Sequence, residues 1–203
     1  MKLLHNVLGI LCGFALMIIL LITSIEAVTY WTPGYYEKEY AKYGVLNDVH
    51  MEMDDLLDVT DEMMAYLRGS REDLHVPTIV DGQPREFFND REIAHMEDVR
   101  GLFLGGLALR RISLGLIVTC VILLLLLKAD IRRVLPKMIC IGSALFFAVL
   151  AVLAGIISTD FNQYFIMFHH IFFNNDLWML KVRTTLHHFR QGKRLLTGIA
   201  LHL

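Results

Sequence analysis

Three long runs without a charged side chain, residues 3–25, 112–127 and 138–159, divide this chain. Each is close to the roughly 20 residues a helix needs to cross a ~30 Å hydrocarbon layer. A backbone in lipid must satisfy its own hydrogen bonds, so the predicted fold is an all-α polytopic membrane protein with three clear transmembrane helices. The composition agrees: 55% hydrophobic residues, 20% charged and a mean hydropathy of +0.50, where charge takes about a quarter of an ordinary soluble domain. The middle run is short at 16 residues, but Arg111 and Lys128 can reach the interfaces and the apolar stretch 101–109 extends the helix upstream, giving a second span over 101–127. The first run is longer than the ~7–15 residues of a signal-peptide core, and Ser24-Ile25-Glu26-Ala27 is a poor cleavage site, so 3–25 reads as an uncleaved anchor.

At 203 residues a single membrane domain is expected, and a net charge of −2 gives nucleic acid no electrostatic footing. The distribution of charge says more than its total. Lys128, Arg132, Arg133 and Lys137 crowd the ten-residue link 128–137 between the second and third spans. Basic residues accumulate in short cytoplasmic loops, which puts that link and the N-terminus inside. Residues 28–100 hold 17 acidic and 7 basic side chains; they form the extracytoplasmic insert, and 160–180 lie on the same side. Cys12, Cys120 and Cys140 all fall within spans, where thiols act as small apolar groups, and no disulfide framework is expected.

The insert is expected to be mainly helical. Its start, 28–43, carries six aromatic residues around a Pro33-Gly34 turn and reads as an interfacial belt rather than a ligand site. Residues 47–68 place Met53, Leu56, Leu57, Met63, Met64 and Leu67 at helical spacing, with Asn47 and Gly69 as caps. Pro77, Gly82 and Pro84 mark a loop containing a short strand over 78–80. A second helix is expected to begin near Asp90, since Asn89 and Glu92 form a capping box and Phe88 and Ile93 a hydrophobic staple.

On that helix Glu92, His95 and either Asp98 or Val99 share one face. A histidine between carboxylates is oriented and more basic, as a general base or a metal ligand must be; the plainer alternative makes Glu92 only the capping partner. A second polar cluster, His169, His170, Asn174, Asn175, Asp176 and Trp178, follows the third span, where a flat interfacial helix is the plainer alternative. The topology puts His95 and His169 on the same side by an argument that used neither.

Glu92-Ile-Ala-His95-Met-Glu-Asp98-Val99 and Phe168-His169-x-Ile-Phe-Phe-Asn-x-Asp-x-Trp178 resemble two signatures of a family of small bacterial membrane proteins, the lipoprotein intramolecular transacylases. Asp54-Asp55-Leu56-Leu57, Tyr66-Leu67 and Arg85-x-Phe87 add to the likeness. The resemblance implies transfer of the sn-2 acyl chain of a diacylglyceryl-cysteine to the α-amine of the same cysteine, in a bacterial plasma membrane. It implies His95 as general base oriented by Glu92 or Asp98, with His169 stabilising the oxyanion or protonating the leaving oxygen; the two histidines can exchange roles. Asn175, Asp176, Trp178 and Arg111 would bind or position substrate, and Arg110 with Arg111 can also meet membrane lipid phosphates. The expected partner is a diacylated lipoprotein. No cofactor and no metal are expected, and the sequence leaves the oligomeric state open. Two other classes compete: a noncatalytic membrane protein whose outer domain binds a partner, and a metal enzyme built on His95, His169, His170 and Asp98.

The resemblance also implies a fourth span after the second motif, which 181–203 do not supply. Five basic residues (Lys181, Arg183, Arg190, Lys193 and Arg194) precede a mostly apolar stretch, 195–203, too short to cross. This atypical basic tail is expected to be a truncated or frame-shifted reading. Sequencing the locus tests that, since a closed alternative frame would sink it.

Overall fold

The computed structural model describes residues 1–179, so the expectations for the tail and a fourth span lie outside the described residues. The chain divides into two compact units, Met1–Ala27 with Gly105–Phe172, and Val28–Leu104 with the described residues from Phe173 onward.

The first unit contains α1 (Lys2–Glu26), the later part of α5 (Asp90–Leu126), α6 (Ile131–Thr159) and α7 (Phe161–Phe172). Among the described residues three helices, Lys2–Trp31, Asp90–Leu126 and Ile131–Thr159, are long and apolar enough to cross a membrane. The third begins earlier than its uncharged run, which leaves only 127–130 between α5 and α6. Arg132, Arg133 and Lys137, expected in a ten-residue loop, stand instead on the first turns of α6. Charge ends an apolar run but not a helix, because Arg and Lys are good helix formers. Pro136 stands inside α6, past its first turn, where it lacks the N–H for one intrahelical hydrogen bond.

α1 and α6 approach closely through glycine. A Cβ added at Gly142 would stand 2.5 Å from the Ile10 carbonyl oxygen, and one at Gly13 would stand 2.7 Å from that of Ile139. Backbones this close gain van der Waals contact that lipid cannot match, which is how helices associate where the surroundings are as apolar as leucine. Leu8, Cys12, Cys120 and Leu124 form a buried cluster in the same unit. Glu26 is buried and pairs with Arg110. Arg110 therefore has a partner in the protein, whereas Arg111 is exposed. A desolvated carboxylate requires such a cation.

The second unit has a core of the water-soluble kind. α2 (Tyr35–Tyr43), α3 (Leu46–Val49), α4 (Met53–Arg68) and the hairpin β1 (Pro77–Val80) and β2 (Gln83–Glu86) precede the first turns of α5. Leu74 is fully buried, with Leu56, Val59, Tyr66, Leu67 and Val76 around it. Tyr30, Tyr36, Tyr40 and Tyr43 pack against this cluster, so four of the aromatic residues read as an interfacial belt serve the insert's own core.

The helix expected over 47–68 is two helices. His50 takes a left-handed conformation (φ 53°) that ends α3, and α4 restarts at Met53, so Asn47 lies inside a helix rather than capping one. Gly69, at φ 83°, closes α4 as expected. The loop expected after residue 80 is a second strand, antiparallel to the first with Val80 opposite Gln83 and Pro77 opposite Glu86. Asp81 and Gly82 make the two-residue turn with φ of 53° and 71°, both positive as a type I′ hairpin turn requires. Pro84 is tolerated because a two-stranded ribbon consists only of edges.

Candidate functional site

α5 starts as the sequence predicts. The Asn89 side-chain oxygen accepts hydrogen bonds from the backbone N–H of Arg91 and Glu92, both at 3.0 Å, and the Glu92 carboxylate accepts from the Asn89 N–H at 3.0 Å. This reciprocal cap commits a Glu92 oxygen to the helix terminus. Arg91, His95 and Asp98, at i, i+4 and i+7, then fall on one stripe of the helix.

Within the same unit, residues 173–179 form an irregular hook fastened to that stripe. The Asn175 side-chain amide donates to the Asp98 carboxylate at 2.9 Å, and its own oxygen accepts from the Leu177 N–H at 3.0 Å. Phe173, buried, meets the His95 ring edge to face, with centroids 5.7 Å apart and planes at 81°. The Arg91 guanidinium donates to the backbone carbonyls of Asp176 and, at 3.1 Å, Met179. Trp178 is half-buried, and the Asp176 residue is exposed. Asp98 and Asn175, singled out separately in the sequence, are thus brought together.

His169 belongs to the other unit, on α7. It is 8% exposed, and its Nδ1 lies 2.7 Å from the Phe165 carbonyl oxygen. A carbonyl can only accept, so Nδ1 carries a proton and the lone pair of the neutral ring falls on Nε2. The rings of Phe165 and Phe168 pack on the imidazole at 4.2 and 5.3 Å. Arg111 is in this unit too.

A family model described as lipoprotein intramolecular transacylase Lit matches residues 10–186, a stretch that includes His95, Asp98, His169 and the hook. The chain belongs to the Lit family. It is accordingly an integral membrane protein of a lipoprotein transacylase class. Among solved structures it is similar to the membrane integral lipoprotein intramolecular transacylase Lit from Bacillus cereus, at 17% identity and a TM-score of 0.67 over 90% of this chain and 79% of that one. Two forms of the Bacillus cereus protein with one histidine changed, to arginine or to alanine, match at 20% identity and TM-scores of 0.65. These cover 98% of this chain and 83% and 84% of theirs. At such identity the likeness establishes the fold. No curated protein matches the sequence.

The insert of this Lit-family chain also holds a cleft of about 530 Å³, with Tyr30, Tyr35, Tyr36, Asp61, Arg68 and Ser70 in its walls. None of the site residues expected from the sequence lines it. Burial raises the pKa of Tyr36 above the ordinary phenol value, and the neighbouring Tyr40, Tyr30, Tyr35 and Asp61 add to the rise. Tyr40 is raised by burial and partly restored by its 2.7 Å hydrogen bond to Thr60. Thr60 gives its own proton to the Leu56 carbonyl, so Tyr40 is the donor in that pair. Among the described residues, no group of three or more His, Cys, Asp or Glu side chains is placed to hold a metal ion.

Sequence reasoning gave no role to Arg91 or Glu26, and took Phe173 only as part of the second motif. Arg91 was detectable, because it shares the helical stripe of His95 and Asp98. Phe173 lies in an aromatic run without distinctive spacing, and Glu26 was visible only as a flaw in a cleavage site.

Proposed function

We propose that this chain carries out an intramolecular acyl transfer on diacylated lipoproteins, moving the sn-2 acyl chain of the diacylglyceryl-cysteine to the α-amine of that cysteine. The amine nitrogen attacks the sn-2 ester carbonyl, a tetrahedral oxyanion forms, and the C–O bond to glycerol breaks. The products are an N-acyl amide and a glycerol hydroxyl on a lyso-form lipoprotein. The ammonium must lose a proton before attack, and the departing alkoxide must gain one. Nucleophile and electrophile belong to one molecule, so positioning supplies much of the rate, and no nucleophilic Ser or Cys is needed.

The match of the family model across both motifs carries this reading. His95 acts as the general base on the amine. Asp98, tethered by Asn175, and Glu92, through its cap, hold the stripe on which His95 sits. His169 stabilises the oxyanion or returns the proton to the glycerol oxygen. With its Nδ1 proton given to Phe165, its Nε2 is the nitrogen that exchanges a proton with substrate. Asn175, Asp176 and Trp178 shape the site, and Arg111 meets lipid phosphate. The four basic residues around the α5–α6 link support an N-terminus inside and a site outside a bacterial plasma membrane.

The test is mass spectrometry of the N-terminal lipopeptide of a reporter lipoprotein in cells expressing this chain. The lyso form is expected. His95→Ala and His169→Ala should each lower its rate of formation by about 10²–10⁴-fold. Absence of the lyso form with the unsubstituted chain, present in the membrane at normal level, would reject the reading in favour of a noncatalytic binding protein.

A further inference from the structure

We infer that Arg91 is a positioning residue of the candidate site: its guanidinium holds the 173–179 hook on α5, and the hook sets the His95 ring. The inference rests on the transacylase reading for what is positioned, and on the geometry for how. Three successive turns of α5 grip the hook at three points, through Arg91 on the Asp176 and Met179 carbonyls, His95 on Phe173, and Asp98 on Asn175. The hook has no helix or strand of its own; one turn bond closes within it, from the Met179 N–H to the Asp176 carbonyl at 3.1 Å, and its further donors come from α5.

Arg91 supplies two of them from one side chain. Both bonds come from Nη2, whose two N–H groups are fixed in the guanidinium plane, while a lysine ammonium on a flexible stem is a point charge with rotatable donors. The carbonyls it holds are at the far end of the hook, on the side of Trp178, and Asn175 and Phe173 hold the near end. Releasing the far end leaves the segment beside Phe173 less firmly held on α5. The edge-to-face contact that limits rotation of the His95 ring then loosens. Substrate binding need not change, but the fraction of time in which the imidazole is aimed at the amine falls.

The full-length chain in detergent, assayed on a diacylated lipopeptide, tests this with Arg91→Ala, Arg91→Lys and Asn175→Ala. Each is made also in a Trp31→Phe background, so that Trp178 is the sole tryptophan. Arg91→Ala should lower kcat by roughly 10–100-fold at nearly constant KM, the size expected when a reacting group is misplaced by about 1 Å. It should also shift Trp178 emission to the red. Arg91→Lys should fall between Arg91→Ala and the unsubstituted chain in both readouts, and Asn175→Ala should produce the same shift. A purely architectural role would lower the yield of folded protein and leave the kcat of the surviving molecules and the Trp178 emission alone, which would overturn the inference. Undiminished kcat in Arg91→Ala, with lyso product from the unsubstituted chain, would overturn it as well. Failure of the unsubstituted chain to give lyso product would instead remove the transacylase reading, and with it any part for Arg91 in that reaction.

Discussion

In the unit built from Val28–Leu104, Leu74 is fully buried and Val59, Tyr66 and Leu67 nearly so, while in the other unit Leu126, Ile112 and Val152 are 73, 66 and 61% exposed. The same residue types are used in opposite ways because the surroundings differ. Water drives leucine into a core at about 25 cal/mol per Å² of apolar area. Lipid gives no such drive, so the membrane unit relies on close backbone approach at Gly13 and Gly142 and on the Glu26–Arg110 pair. One chain therefore obeys two packing rules, and substitutions can be ranked by which rule they break.

The largest effect is expected from Gly142→Leu. The new side chain would start 2.5 Å from the Ile10 backbone, so α1 and α6 must part, and folded, monodisperse protein should be lost on detergent extraction. A normal yield and melting temperature would show that close approach does not hold this unit. Leu74→Ala comes next. Truncating a fully buried leucine costs about 2–5 kcal/mol, read as a fall in the unfolding midpoint, and a shift near zero would deny the insert a water-excluding core. Val152→Ala removes methyl groups from an exposed position in a span and should cost less than about 0.5 kcal/mol. A cost matching that of Leu74→Ala would erase the contrast between the units.

The smallest effect concerns pH. The Asp73 carboxyl is held below the usual range by the His75 backbone N–H and then by the Arg71 guanidinium. A depressed folded-state pKa means stability that is present above the ordinary carboxylate pKa, about 3.9, and is lost as pH falls through the folded value. Asp73→Asn should therefore melt slightly below the unsubstituted protein at pH 7, and the gap should close as the pH falls through the lowered folded-state value of Asp73. A gap that widens in acid would contradict that sign.

The spans and the start of α5 were legible because each rests on local chemistry, uncharged length in one case and the Asn89–Glu92 cap in the other. The break at His50 was hidden because apolar spacing runs on through it, and only the left-handed backbone interrupts the helix. β2 was missed because Gly82 and Pro84 were weighed as breakers, although Asp81-Gly82 between two extended segments is a hairpin signal. Of the candidate site, the residue types were visible, but the fastening of Asn175 to Asp98 joins positions 77 apart, and no local pattern encodes that.

That separation also has a consequence in time. A ribosome adds about 5–20 residues per second, so the carbonyl of Asp176, 85 positions after Arg91, is made roughly 4–17 s later. Throughout that interval the nascent insert presents Arg91, His95 and Asp98 without the hook that meets them, and the third span, Ile131–Thr159, is made within it. The clasp is the last described piece of the molecule to be synthesised, so the site cannot be complete before the chain around it has been threaded.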